Sequence, residues 1–390
     1  MSAGARHITL PTGELEVSLD HGAAELDALL GFAARANAKR GFLFLSKVLG
    51  KHWPVAPSTM LDIHARLAAD VPEAAGPVVF IAMAETAIGL GQGVFEAWLR
   101  AHPGREALFV HTSRYRVGTD PIIEFEEAHS HAPRQFLHMP QDPGKRALLL
   151  GASALVLVDD EASTGNTFLN LTNACRRLNP GIAHVHLATI INFMGRNATV
   201  DLARRFGLPV SMGALVSGEY RFAPGTMSPA AAPAQLFDAD ADRGASALFG
   251  RLGLTAALPA PEALAQELAT EIAAGERVLV LGTGEFMHPP TLLGAALERL
   301  GVDVVVQSTT RSPILTWGAV ATSLGFPDNY GEGVGNFLYN VHPHQYEHVL
   351  ICHETAPNAA LFQLARLLGA RLFHFITETH VEEVSEVPVC

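Results

Sequence analysis

The stretch from Ala154 to Phe168, ALVLVDDEASTGNTF, sets two adjacent carboxylates, Asp159 and Asp160, between an apolar run and a turn of small polar side chains. Carboxylates accept hydrogen bonds from vicinal hydroxyls, and Ser163, Thr164, Asn166 and Thr167 are short donors that leave room for a ligand. Gly165 lets the backbone approach that ligand closely. Leu155 to Val158 suits a strand buried on both faces, and Phe168 to Leu178 changes to helical spacing. The turn therefore lies between a strand's carboxyl end and a helix's amino end, where unbonded N–H groups and the helix dipole favour an anion. A diol above a phosphate is the pattern of a sugar phosphate.

Three other segments carry candidate chemistry. Pro77 to Phe80 reads as a strand running into IAMAETAIGLGQG, so Ala84, Glu85 and Thr86 fall at its carboxyl end, before a Gly-rich helix start. Gly89, Gly91 and Gly93 suit either an anion or close helix packing. His111 to Gln135 holds Arg114, Arg116, His129 and His131 around an acidic patch, and Arg114 is its best candidate for offsetting a ligand's negative charge. On a strand, His129 and His131 would share one face and could hold a metal; the alternative is a polar loop. KRGFLFLSKVLGKHWPVAP carries Arg40, Lys47, Lys51 and His52 around an aromatic and aliphatic core. It reads as a surface helix whose lysine stems cover apolar residues.

These segments need a scaffold that gathers strand ends. Strand and helix patterns alternate through Pro77 to Phe80, Leu108 to His111, Leu155 to Val158 and Val185 to Ile191, which predicts an α/β domain with a mostly parallel sheet. From Arg221 the chain turns to Pro- and Ala-rich text with clustered Asp, and a linker is expected at 226–245, between domains at 1–225 and 246–390. A helix from Ala260 to Ala274 and a β-α-β unit over Arg277 to Leu281, Pro290 to Leu300 and Val302 to Gln307 begin a second α/β domain. Val349 to His353, Ala359 to Leu368 and Arg371 to Ile376 continue it.

The acid pair followed by Thr164-Gly165-Asn166-Thr167 resembles the phosphoribosyl-pyrophosphate loop of type I phosphoribosyltransferases. That resemblance implies a type I parallel sheet, with Asp159 and Asp160 on the ribose hydroxyls directly or through Mg²⁺, and Ser163 to Thr167 on the 5-phosphate. It implies pyrophosphate at Ala84, Glu85 and Thr86, with Arg114 on a loop that closes over the substrate. For the segment of Arg40, Lys47, Lys51 and His52 it implies, instead of a surface helix, a hood over the ribose site. Purine-salvage members often carry a further carboxylate three positions after the acid pair, where this chain has Ser163. A general base would then be Glu161 or Glu85, unless the acceptor is already nucleophilic.

In the second half, Gly282-Thr283-Gly284-Glu285-Phe286-Met287 and Ser308-Thr309-Thr310-Arg311-Ser312-Pro313-Ile314 each follow a strand. They resemble the domain named for its Thr-Arg-Ser-Pro signature, the TRSP domain. In bacterial gene clusters linked to tellurium resistance and stress response, that domain follows a phosphoribosyltransferase-like domain in one chain. The second domain is expected to be Rossmann-like, with Arg311 and Ser312 gripping a phosphate or carboxylate. The Gly282-x-Gly284 pair lacks the third glycine of a dinucleotide fingerprint. His342, His344 and His348 have metal-like spacing, although Pro343 favours a packing or surface role, and Gly331 to Tyr339 is a candidate phosphate-facing loop.

Composition narrows the classes. A formal net charge of −12 disfavours nucleic acid, whose binding needs Lys and Arg against phosphates. Cys175, Cys352 and Cys390 are too few and too scattered for a disulfide framework, no apolar run is long enough for a spanning helix, and MSAGARHITL lacks a signal-peptide core. A cytoplasmic protein is expected. The reading is a Mg²⁺-dependent enzyme that moves phosphoribose from phosphoribosyl pyrophosphate to a small nucleophile such as a nitrogen heterocycle, in making a nucleoside-like metabolite. A phosphoribosyl-binding regulator or scaffold without turnover is the alternative, and a homodimer is expected by analogy with type I enzymes.

Overall fold

The computed structural model describes residues 5–35, 40–118, 122–126, 134–226, 244–331 and 333–385. Its first sheet runs in the order Arg6–Leu10, Gly13–His21, Val210–Pro224, His184–Asn192, Ala154–Ala162, Val78–Ala82, Ala107–His111. The five strands from Val210–Pro224 onward are parallel, and the amino-terminal hairpin closes one edge antiparallel. Ala154–Ala162 lies between two parallel neighbours, which explains its unbroken apolar start: Ala154 to Val158 are all buried. Leu155 and Leu157 face Leu149, Leu171 and Cys175, whereas Val156 and Val158 face the opposite core with Phe80 and Phe95.

The second sheet runs Asp303–Ser308, Arg277–Gly282, His348–His353, Arg371–Phe375, Val381–Val384, parallel except for its last strand. Both halves are α/β with parallel-rich sheets, as the sequence patterns imply. The two sheets also share a core. Met60, Ile63 and Val94 pack in one cluster with Val280, Leu293, Val304 and Val306. Main-chain bonds add to the join: Val55 and Val306 exchange N–H···O bonds of 3.0 and 2.8 Å, and Ser308 N–H donates to the Gly50 carbonyl at 2.7 Å.

Three sequence expectations change here. The KRGFLFLS segment is not a surface helix: Phe42–Ser46 is a strand, paired antiparallel with Leu30–Ala34, and Lys51 is buried beyond it. Gly89, Gly91 and Gly93 lie inside the helix Ile88–Ala101 as packing residues, and Gly93 makes room for the ring of His64 on the helix Pro57–Ala69. Asn336–Tyr339 is a strand paired with Ser323–Phe326, and Phe337 bonds Thr310 through its main chain, so it supports the signature loop from behind. Most of the expected linker, 227–243, together with His129, His131 and Cys390, lies outside the described residues. Cys175 and Cys352 are buried free thiols. Among the described residues no helix is long and apolar enough to cross a membrane.

A β-carbon at Gly93 would stand 2.0 Å from His64 Nδ1, in a fully buried position. Gly93→Ala is therefore expected to cost about 1–3 kcal/mol of stability through overpacking, read as a lower urea midpoint at unchanged slope.

Candidate active site

The carboxyl end of Ala154–Ala162 delivers Asp159, Asp160 and Glu161 to one cavity of about 190 Å³. Asp159 Oδ1 accepts the Asp160 N–H at 2.9 Å, within the last residues of that strand. Ser163, Thr164, Gly165 and Thr167 line the same cavity. Gly165 has φ +73° at the cap of the helix Asn166–Leu178, a left-handed conformation that opens the turn. Asn166 is not among the lining residues; its side-chain oxygen accepts from Arg205 at 3.0 Å, and the same guanidinium bonds the Thr164 carbonyl at 2.9 Å. Asn166 thus braces the turn from outside.

Ala84, Glu85 and Thr86 line the opposite side, following Val78–Ala82. The Ala84–Glu85 peptide is cis. The Ala84 N–H donates to Thr112 Oγ1 at 2.7 Å, so that amide is not available to an anion. Glu85 is the centre of a buried charge array: Lys51 Nζ lies 2.7 Å from Oε1, and Arg311 Nε donates to Oε2 at 3.3 Å. Burial alone would raise the Glu85 carboxyl, but Lys51 and Arg311 hold it down at about 2. At that value Glu85 is a very weak base. Glu161, the other candidate base, is bound by Arg40 at 2.6 Å.

Arg114 lines the cavity, and its backbone N–H donates to Glu285 Oε1 at 2.7 Å. Thr310, Arg311 and Ser312 line it too, so the signature loop of the second domain opens onto the same cavity as Asp159 to Gly165 of the first. This loop is fixed by its neighbours: Tyr339 O–H donates to the Ser312 carbonyl at 2.7 Å and accepts the Ile314 N–H at 2.8 Å. The hood segment divides. Arg40 and His52 line the cavity, Lys51 stands behind Glu85, and Lys47 faces away, bonded to the Asp27 carbonyl. Burial lowers His52 to about 3, leaving it neutral at physiological pH. Arg35 and Leu43 also line the cavity, outside any motif. The sequence signal for Arg35 is its spacing from Arg40, which sets both arginines at the same end of the antiparallel pair Leu30–Ala34 and Phe42–Ser46. The trio His342, His344 and His348 does not converge: His348 bonds Glu276 at 2.8 Å, and His342 bonds the Pro343 carbonyl.

Residues 29–219 match the family model described as phosphoribosyl transferase, and residues 249–369 match the model described as the TRSP domain that follows it. The chain joins a phosphoribosyltransferase to a TRSP domain. The transferase is similar in structure to adenine phosphoribosyl transferase from Trypanosoma brucei, at 12% identity over 48% of this chain and 77% of that one, with a TM-score of 0.34. Adenine phosphoribosyltransferase from Rhodothermus marinus is 15% identical over 50% of this chain and 97% of that one, at 0.30. The Giardia lamblia enzyme is 16% identical over 48% and 96%, at 0.31. No curated protein matches the transferase significantly.

Burial raises the Asp160 carboxyl from 3.8 to about 6, and the charge of Glu161 acts in the same direction. Between those values the folded transferase holds a proton that the unfolded chain has released, so stability falls as pH rises through the window and stays lowered above it. Asp160→Asn is therefore expected to stabilise the fold by about 1–3 kcal/mol at pH 7.5, with little gain at pH 4. Thermal melts of the variant and the parent at the two pH values check this, and no difference between them would contradict it.

Proposed function

We propose that the protein transfers phosphoribose from phosphoribosyl pyrophosphate to a small nitrogen nucleophile, in the cavity shared by the acid pair and the signature loop. The single observation that supports this reading is that diol acceptors, the phosphate turn and the cations Arg114 and Arg311 all line one space. Asp159 and Asp160 accept the ribose hydroxyls, and Ser163, Thr164, Gly165 and Thr167 hold the 5-phosphate. The bond from C1 to the pyrophosphate oxygen breaks with its electron pair leaving on pyrophosphate, and the acceptor's lone pair closes on C1. Positioning and fixed charge supply most of the acceleration.

The donor set suits Mg²⁺. Asp159 and Asp160 are adjacent carboxylates, and burial with a neighbouring negative charge raises Asp160, a shift that a bound cation reverses. Among the described residues no group of three or more His, Cys, Asp or Glu is arranged to hold a metal. Two carboxylates alone fit an ion that keeps several waters and shares substrate oxygens. When bound, Mg²⁺ would offset the charge of the pyrophosphate.

Glu85 and Glu161 are both engaged by cations, so the reading favours an acceptor nitrogen that reacts without a strong side-chain base and gives its proton to pyrophosphate or water. The product would be a nucleoside-like phosphate. The resemblance to a domain pair found in stress-associated gene clusters supports a role in stress metabolism.

Incubation with Mg²⁺, phosphoribosyl pyrophosphate and a panel of nitrogen heterocycles tests the proposal. Acceptor-dependent pyrophosphate release is expected, falling at least about 100-fold in Asp160→Asn, since both hydroxyl positioning and metal binding are lost. Ribose 5-phosphate released without any acceptor would instead indicate a hydrolase.

A further inference from the structure

The two sides of the cavity differ in charge. The sugar side carries Asp159, Asp160 and the Arg40–Glu161 pair. On the other side, one carboxylate, Glu85, faces two buried cations, Lys51 and Arg311, and the charge of Arg114 also acts on it. That array is net positive, and one of its cations, Arg311, comes from the second domain.

Arg311 is also held in orientation. Its Nε–H donates to Glu85, and its guanidinium lies 5.2 Å above the Tyr115 ring. Tyr115 stacks on Tyr330 at 4.5 Å, and Tyr330 O–H donates to Glu354 Oε1 at 2.8 Å. Arg251 bridges Glu354 and Glu285 with bonds of 2.6 and 2.9 Å. Glu285 then accepts the Ser113 hydroxyl and the Arg114 N–H, each at 2.7 Å. This circuit leaves the first domain at Tyr115, runs through the second and returns at Ser113 and Arg114. A guanidinium held at both its edge and its face is a preorganised site for developing oxyanion charge.

We infer, on the basis of the transferase reading above, that the leaving-group half of the site belongs to both domains: Arg311 meets the pyrophosphate of the donor, and Glu285 positions Arg114 beside it. As the bond between C1 and oxygen breaks, the electron pair moves onto the pyrophosphate oxygen, and the charge that accumulates there faces Arg311 and Arg114. Arg311 is the substrate-contacting residue. Glu285 acts through the segment it holds.

Calorimetry on the full chain with Mg²⁺ separates the two halves of the site, with inorganic pyrophosphate as one probe and ribose 5-phosphate as the other. Arg311→Gln is expected to weaken pyrophosphate about 10- to 100-fold, the worth of a charge-assisted bond, and to leave ribose 5-phosphate within about twofold. Arg311→Lys keeps the charge beside Glu85 and loses the fork; it is expected to recover part of the affinity, and it carries the test if Arg311→Gln does not fold. Glu285→Gln is expected to weaken pyrophosphate less than Arg311→Gln does, again sparing ribose 5-phosphate. Unchanged pyrophosphate affinity in the Arg311 variants, or equal loss for both probes, overturns the inference. A parent protein that binds ribose 5-phosphate but not pyrophosphate also overturns it, and one that binds neither probe defeats the transferase reading itself.

Discussion

The structure depends most on the carboxylate of Glu85, fixed between Lys51 and Arg311. Taking three charges out of water is expensive, and the arrangement persists because each cation meets the same carboxylate at short range. The result is a Glu85 that stays ionised down to about pH 2 despite its burial. The three residues come from three places: the segment after the hood hairpin, the turn after a first-domain strand, and the signature loop of the second domain. Removing Glu85 would leave two buried cations without their counter-charge, a loss of about 3–5 kcal/mol. The ion array is thus a join between domains as well as a wall of the cavity.

The same geometry sets what the cavity can do. Strand ends supply rigid placement, and the shared core behind them, with Val94 against Leu293 and Val306, keeps the two sheets from sliding. The sugar side is held in a less comfortable state: Asp160 lies beside Glu161 and is pushed toward neutrality by burial. A bound cation or hydroxyl donors would relieve that strain, so under the proposed reading stability is exchanged for ligand affinity at this position. Conversely, Glu85 is stabilised as an anion by Lys51 and Arg311, and Glu161 is paired with Arg40, so under the proposed reading the demand for reactivity falls on the acceptor.

Much of the scaffold was legible in the sequence because buried parallel strands leave unbroken apolar runs. Ala154 to Val158 and Val185 to Ile191 could hardly be anything else, and the acid pair with its Thr-Gly turn marks a strand end by itself. The hood was not legible in the same way. Phe42 to Ser46 is buried at every position, so the strand alternation that would identify it is missing, and Lys51 looks like a surface residue until its partner is in place. The glycines of Ile88–Ala101 could not be assigned without knowing that His64 packs against one of them. The signature loop marks Arg311 as a candidate anion-binding side chain, but its meeting with Glu85, 226 positions away, is a tertiary fact that no local spacing encodes. Asn166 shares the cradle's motif and yet faces Arg205, because the helix that begins there turns its side chain outward.

The central claim is that two domains make one site. Hydrogen exchange on the intact chain, with and without phosphoribosyl pyrophosphate and Mg²⁺, tests it most directly. The account predicts that ligand slows exchange in both the Asp160 to Thr167 turn and the Thr309 to Ser312 loop, at the same ligand concentration. Protection confined to the first domain, with the signature loop unchanged at saturation, would contradict it.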